Sequence, residues 1–462
     1  HNIYNFSQAY LYLQQKSILA QTFVDHSHVK TNGGLVRDAF YYADLIRATI
    51  LNNLKKSNFS STELNVLMAL LLGQQQDIAP EIVHDYQYAG AIHILSVSGL
   101  HVGFVLLFLN FLLQWIPNSK RNSYYKLAFT LSALWGFAVL AGLSPSVIRS
   151  VTMFSFVAVG LHLKRQSNIF HTLLVSLFLI LLFEPSFLFD VGFQLSYVAL
   201  FSILWMQPLF QAIWQPKNKI TNYFWQILTV SFAAQIGTLP LSLYYFHQFS
   251  GLFFITNVIV IPFLSIIMAL GIVVMLLASV DFVPQFLAVS LEWLIAILNK
   301  IIGSIASLEQ FVLKEIPLNG WLLLSMYFLI TALVFCYKKA SFQRIAIVLI
   351  AILLLQTSYF GSRWRAQQQE EWIVFNVKQA TLIAARNGSD VTVFTNAELK
   401  KNNPLQSYLI ANFCEIDTVK PIANLASFKN KKILIIDSLG NYPKAVNPDV
   451  MLLRDSPKIN LD

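Results

Sequence analysis

His93-Ile-Leu-Ser-Val-Ser-Gly-Leu-His-Val-Gly103 sets six small or polar residues, His93, Ser96, Ser98, Gly99, His101 and Gly103, inside an otherwise apolar stretch that runs from 91 to 116. A spanning helix needs about 20 mostly apolar residues, and this stretch is long enough. Polar groups in hydrocarbon are costly, so they normally face a bundle interior or a watery cavity. Gly99 and Gly103 form a G-x-x-x-G pair that permits close helix approach. Together with Ser98 they also suit a break or kink. On an unbroken helix the two histidines, eight residues apart, would lie roughly 80° apart; an unwound segment changes that. Helix packing is the plainer reading of any one of these residues. Their density points instead to a pathway, because broken mid-membrane helices free backbone groups to meet a substrate or water.

Outward from this stretch, the same ruler finds about ten candidate spans, near 91–116, 126–142, 147–163, 168–183, 193–214, 222–246, 252–279, 285–308, 320–337 and 343–360. The chain is 56% hydrophobic and 12% charged, with 37 Phe among 462 residues. A soluble domain carries about 25% charged residues, so lipid is the main solvent. If 91–116 runs from outside to inside and the rest alternate, Lys120, Arg121, Lys126, Lys164, Arg165, Lys217, Lys219, Lys338, Lys339 and Arg344 fall in inner loops. Lys314 alone is basic in the outer loops between spans. This positive-inside asymmetry explains much of the net charge of +9 without invoking nucleic acid. It places both ends of the chain outside, which in a bacterium is the periplasm. His1 in place of Met and the run Lys458–Asp462 suggest a piece of a longer chain. Cys336 and Cys414 lie too far apart in sequence to suggest a disulfide framework or a metal knuckle.

Residues 34–60 are expected to form an amphipathic helix along the membrane surface. Leu35, Ala39, Tyr42, Ile46, Ile50 and Leu54 make its apolar stripe, and Arg37, Asp44, Arg47 and Lys55 its other face. A short apolar helix follows at 62–72, ending at Gly73. Beyond 360 the pattern becomes β-rich, with strands expected at 371–377, 381–385, 391–395, 432–437 and 449–453 and a hairpin turn at Asn387-Gly388. The fold class is therefore an α-helical polytopic membrane protein of about ten spans, some broken, with a small periplasmic α/β or β-rich C-terminal domain.

Other polar sites extend the pathway reading. Arg149 follows Gly142-Leu-Ser-Pro-Ser146; it is either an ion-pair partner or a phosphate contact, for which its fork is suited. Asp190-Val-Gly-Phe-Gln-Leu-Ser-Tyr197 opens the fifth span with Gln194 and Ser196 inside it. Gln235–Pro240 is expected to break the sixth span, and Asn257 with Pro262 the seventh.

These segments, in this order, resemble the ComEC-type competence family across roughly 60–340. His93–Gly103, preceded by Leu71-Leu-Gly73, resembles its H-[LI]-L-x-[VI]-S-G-L-H-V-G hallmark. Ser144–Met153, Asp190–Tyr197, Gln235–Pro240 and Asn257–Pro262 resemble its S-x-x-x-x-R-[AS]-x-x-M, D-x-G-F-Q-L-S, Q-x-x-x-L-P and N-x-x-x-x-P elements. Phe6–Val24 looks like the end of the family's periplasmic OB-fold domain, so 1–33 is expected to be its remnant and 61–360 the transmembrane competence domain. Glu371–Thr395 looks like the first strands of a metallo-β-lactamase-like domain, so 361–462 is expected to be a degenerate form of it. There the family's D-V-G-Q-G reads Asn376-Val-Lys-Gln-Ala380; no H-x-H-x-D-H motif occurs, and no His follows residue 360. A dinuclear hydrolase needs several His and carboxylate ligands, so no nuclease and no cofactor is expected.

The resemblance implies passage of single-stranded DNA through the inner membrane during natural transformation. The route would be lined by the broken first span, Arg149, and polar residues of the fifth to seventh spans: Gln194, Ser196, Gln235 and Asn257. No G-x-x-x-x-G-K-[ST] loop occurs, so a separate cytoplasmic ATP-driven motor and a periplasmic DNA receptor are expected partners. Two rivals remain at this level. A small-solute transporter fits interrupted spans, but such carriers usually hold a buried carboxylate. An intramembrane hydrolase built on Ser98 and His101 lacks a G-x-S-x-G elbow and a positioned acid.

Overall fold

Each of the ten apolar segments is helical, and most begin at a recognisable cap. The computed structural model describes residues 37–57, 59–117, 119–163, 168–377, 380–396, 403–436 and 447–453; the expectations for 1–33 lie outside these. The chain divides into two compact units, one of Val24–Lys314 and one containing Glu315–Asp462.

The first unit contains α1 (Ala39–Lys56), α2 (Ser61–Leu72), α3 (Pro80–Tyr88), the single-turn α4 (Ile92–Leu95), α5 (Gly99–Leu113), α6 (Lys120–Leu140), α7 (Pro145–His162), α8 (Ile169–Phe183), α9 (Val191–Gln211), α10 (Lys219–Phe246), α11 (Phe253–Ser279) and α12 (Gln285–Ala306), with the two-residue strands β1 (Phe249–Ser250) and β2 (Val312–Leu313) paired antiparallel. Ser119, Asn168, Asp190 and Asn218 each accept a backbone N–H from the first turn of α6, α8, α9 and α10, satisfying donors that have no intrahelical partner. Pro145 opens α7, where its missing N–H costs nothing. α2 is apolar on every side and correspondingly buried: Leu64 and each of Val66–Leu72 are at most 4% exposed. It is a core element, packed by α1, α4, α11 and α12.

Among the described residues seven helices are long and apolar enough to cross a membrane: α7, α9, α10, α11, α12 and two that follow residue 319. α5 and α8 are apolar but only 15 residues long, about 22 Å against a hydrocarbon core of about 30 Å. α6 is long but opens on Lys120, Arg121 and Lys126.

Three expectations are corrected. α10 and α11 run unbroken through Pro240 and Pro262. Each proline removes one backbone bond, and the bonds on either side keep the helix continuous. In α1 the packed face is Ala43, Ile50, Asn53 and Leu54, whereas Tyr42 and Ile46 of the expected stripe are exposed beside Phe40 and Leu45. Arg47, expected on the polar face, instead donates to the C-terminal carbonyls of α6, at 2.8 Å from Leu140 O and 3.3 Å from Val139 O. A cation at a helix C-terminus meets the negative end of its dipole. One and a half turns later, Asn53 donates to Ala278 O at the end of α11 (2.9 Å).

That pair of contacts limits the distance between the C-terminal ends of α6 and α11. Alternation sets the C-terminal ends of α6 and α11 on opposite membrane faces. Six residues of α1 rise only about 9 Å. Even with both side chains extended, the two carbonyls lie closer together than the ~30 Å hydrocarbon thickness.

The second unit holds α13 (Gly320–Lys338) and α14 (Phe342–Gln368), which form a hairpin, followed by two sheets. β3 (Glu370–Val377), β4 (Ala380–Asn387), β5 (Asp390–Thr395) and β6 (Glu415–Lys420) pair in that order, with β5 and β6 parallel across the helix α15 (Asn403–Ala411). β7 (Leu425–Phe428), β8 (Lys431–Ile436) and β9 (Val450–Leu453) make the other sheet. The five expected strands are present. The hairpin turn falls on Gly388-Ser389, one residue on from the expected pair, because Asn387 still pairs with Asp390. β6, β7 and α15 were not anticipated. Arg386, 1% exposed, binds this unit together with all five of its donors: to Gly388 O, Gln369 Oε1, Tyr408 OH, Ala366 O and Asn412 O at 2.7–3.3 Å. Two of those partners, Ala366 and Gln369, belong to the end of α14 and the residue after it. Burial pushes the neighbouring Cys414 thiol up to about 11.

Candidate functional site

The break expected in the first span is present. Between α4 and α5, Ser96 and Ser98 have extended backbones. The carbonyl of Leu95, which the break frees, accepts from Gln75 Nε2 at 3.0 Å. Ser98 heads α5, and its backbone N–H donates to His101 Nδ1 at 3.1 Å, with Ser98 Oγ at 2.9 Å from the same nitrogen. A ring nitrogen that accepts carries no proton, so the neutral ring is protonated on Nε2. That Nε2 is buried without a partner in a residue only 1% exposed. Gly73 closes against the break: its φ is +73°, and a Cβ there would stand 3.0 Å from Ala141 O and 3.4 Å from Val97.

Arg149 reaches the head of α5 from the second turn of α7. A Cβ on Gly99 would meet Ser150 Oγ at 3.3 Å and Arg149 Nη2 at 3.5 Å, so a side chain larger than a methyl group there would crowd the guanidinium. Arg149 is 8% exposed. It donates to Ser196 O (3.3 Å) and Ser150 Oγ (3.2 Å), and its Cζ lies 5.7 Å from the Tyr197 ring centre. Its Nε has no acceptor, and among the described residues no carboxylate lies within ion-pair distance of it. No Asp or Glu occurs between Asp190 and Asp281. A buried cation without a counter-ion is costly, so the site is electrostatically incomplete.

The structure thus joins Ser98, Gly99, His101, Arg149 and Ser196, the last through its backbone carbonyl. His93 exposes its ring although α4 is packed against α2 and α3, and Ser96 donates back to His93 O at 3.1 Å. Gly103 faces Phe154, 3.5 Å from where its Cβ would be. Gln194 lies apart from the cluster, bonded to Leu188 O and Tyr245 OH at 2.8 Å each. Gln235 is half-buried on α10, and Asn257 is buried on α11 with Oδ1 unpartnered. No described hydrogen bond joins either to the Arg149 cluster. Asp190 and Tyr197, quoted with the fifth span, prove structural: one caps α9 and the other bonds Ser176 Oγ at 2.9 Å. Gln75, Ser150 and the close approach of Gly237 to Ser202 across α9 and α10 were not foreseen. They are isolated small or amide residues, and only the contacts single them out.

Chemically, the cluster offers donors: the Arg149 fork, His101 Nε2–H, and the first N–H groups of α5. A helix N-terminus with a guanidinium over it favours an oxyanion. Ser98 and His101 touch, but no described carboxylate orients the ring, so a nucleophile–base–acid relay is not assembled. Among the described residues no group of three His, Cys, Asp or Glu could hold a metal ion.

Residues 70–340 match the family model described as Competence protein, and 372–462 match the ComEC C-terminal domain. The chain is similar to ComE operon protein 3 of Bacillus subtilis, 31% identical over 250 residues that make up 53% of this chain and 31% of that protein. Recombination protein 2 of Haemophilus influenzae is 26% identical over 51% of this chain and 31% of its own length. Competence protein ComA of Neisseria gonorrhoeae is 28% identical over 31% of this chain and 22% of its own. The matched segments therefore span less than a third of these relatives. No solved structure matches.

Proposed function

The chain belongs to the competence protein family, and on that premise we propose that it forms an inner-membrane channel passing single-stranded DNA into the cytoplasm. The observation that carries this reading is Arg149: a buried cation without a carboxylate, set over the open head of α5 at a break in the chain. A phosphodiester supplies the missing charge. A succession of such charges moving past one incomplete site, with weak distributed contacts, suits conduction better than tight binding. His93, Ser96, Ser98, Gly99, His101, Gly103, Arg149, Gln194, Ser196, Gln235 and Asn257 are assigned to the route.

The shortness of α5 and α8, and the joint grip of α1 on α6 and α11, support a turn between α6 and α7 at membrane depth. That shortens the distance over which the strand leaves water. The lysine and arginine asymmetry supports ten helices within the membrane and a periplasmic C-terminal domain. The exposed apolar edge of α1 supports its lying at the outer interface. With no His after residue 360, the C-terminal domain is assigned no hydrolytic role. A separate motor drives translocation and a periplasmic receptor delivers the DNA.

The test is transformation in a naturally competent host lacking this protein, complemented with the wild type or Gly99→Leu. The larger side chain fills the space of the guanidinium, and we expect transformation to fall by at least about tenfold at unchanged membrane abundance. Undiminished transformation in the deletion host would overturn the channel reading.

A further inference from the structure

The hairpin between α9 and α10 carries a second set of groups that the route does not use. Its sequence, Gln211-Ala-Ile-Trp-Gln-Pro-Lys-Asn-Lys219, lies within a run of ninety residues, 191–280, that contains no Asp or Glu, and Lys217 and Lys219 are the only Lys or Arg in that run. At the tip is a cavity of about 190 Å³ lined by Pro208, Gln211, Ala212, Trp214, Gln215 and Asn222. A water needs roughly 10–15 Å³ of such space, so this one admits a ring-sized group.

The polar lining is largely uncommitted. Asn218 caps α10 through its side chain, and Gln207 donates to Gln211 Oε1 at 3.0 Å. That leaves the Gln211 NH₂ group, and the whole amides of Gln215 and Asn222, without a described hydrogen bond. Trp214 is half exposed and meets Trp225 edge-on at 5.4 Å. The Trp225 indole N–H is buried with no acceptor.

We propose that this concave tip is a nucleobase seat, which holds one unpaired base of a single strand against Trp214 while amides meet its edge and the two lysines its flanking phosphates. The proposal rests on the channel reading and adds an exit-side contact to it, since Lys217 and Lys219 mark the inner side. Each amide both donates and accepts, so it fits the edge of any base, and an indole face stacks on any base. The result is retention without sequence preference, as a channel for arbitrary DNA requires. Interfacial tryptophans and lysines alone would explain an anchor, but an anchor requires neither a cavity nor the uncommitted amide groups of Gln211, Gln215 and Asn222 around it.

The test uses the full chain in nanodiscs and an oligothymidylate carrying 5-iodouracil. After irradiation, the label is expected on the peptide containing Trp214 or Trp225. Yield should fall roughly tenfold in Trp214→Leu, which keeps the apolar area, and similarly in Gln211→Leu combined with Asn222→Leu. Label mapping elsewhere, or full yield in these variants, overturns the seat. So does labelling that survives in phosphatidylcholine discs and vanishes when phosphatidylglycerol is added, which identifies a lipid-headgroup site. Transformation separates the two levels. If Arg149→Gln abolishes it while Trp214→Leu leaves both transformation and the cross-link unchanged, the seat fails and the channel stands. Normal transformation in the deletion host fails the channel itself.

Discussion

Among the described residues two arginines are buried, one in each unit, and they are finished differently. Arg386 has every N–H donor engaged and Glu371 at 3.9 Å. Arg149 has two bonds to neutral oxygens, three of its five N–H donors unused, that of Nε among them, and no carboxylate among the described residues. A buried charge is tolerated when geometry and hydrogen bonds repay its desolvation. Arg386 meets that condition within its own unit and ties α14 to β3, β4 and α15. Among the described residues Arg149 does not meet it, and that shortfall is what supports its proposed role as a contact for a passing anion. The contrast separates a residue that holds the fold from one that the fold holds ready.

The sharpest way to break the comparison is Arg386→Ala. It strands Glu371 and several carbonyls in a dry site, and should destabilise the C-terminal unit by about 3–5 kcal/mol. Limited proteolysis and thermal unfolding would show it as selective loss of that unit; an unchanged melting profile would mean that the network is ornamental. Arg149→Gln should do the reverse. It removes an uncompensated charge as well as two modest bonds, so stability should change by no more than about 1 kcal/mol. Transformation should drop by about tenfold to a hundredfold. If the protein instead fails to accumulate, Arg149 is as structural as Arg386. Ser98→Ala tests the head of α5: losing the hydroxyl beside His101 should cost about 1 kcal/mol, with helicity retained by circular dichroism and only a minor change in transformation. A Ser98→Ala variant that blocks uptake outright would shift the weight of the site from Arg149 to the break.

The smallest effect concerns Cys414, beside Arg386. Its thiol is raised to about 11 in the folded unit, against about 8.5 unfolded. The folded form then holds a proton that the unfolded form gives up, so stability is constant below about pH 8.5 and falls as pH rises toward 11. Denaturation at pH 7 and pH 10 should show the loss, and Cys414→Ser should flatten it. A thiol that alkylates readily at neutral pH in the folded protein would contradict the burial assigned to it.

The helices, the break at Ser96–Ser98 and the C-terminal strands β3–β5, β8 and β9 were legible in the chain, because each rests on local chemistry. Apolar length sets a helix in lipid, Ser98 before Gly99 interrupts one, and alternation around Gly388 sets a hairpin. The prolines misled for the same local reason: a lost bond at Pro240 or Pro262 reads as a break, but the neighbouring turns keep α10 and α11 whole. β6 is exposed along its length, so it shows no alternation to find. Arg47 looked like a surface charge because only packing brings the end of α6 to it. The sequence by itself determined that this is a many-helix membrane protein with an interrupted polar span. Only the tertiary structure decided that Gly99 lies beside Arg149, that Ser196 contributes a carbonyl rather than a hydroxyl, and that Gln194, Gln235 and Asn257 show no bond to that cluster. Helix formation is set by residues within a few positions of each other, whereas the pairing of a charge is set by residues tens to hundreds of positions away.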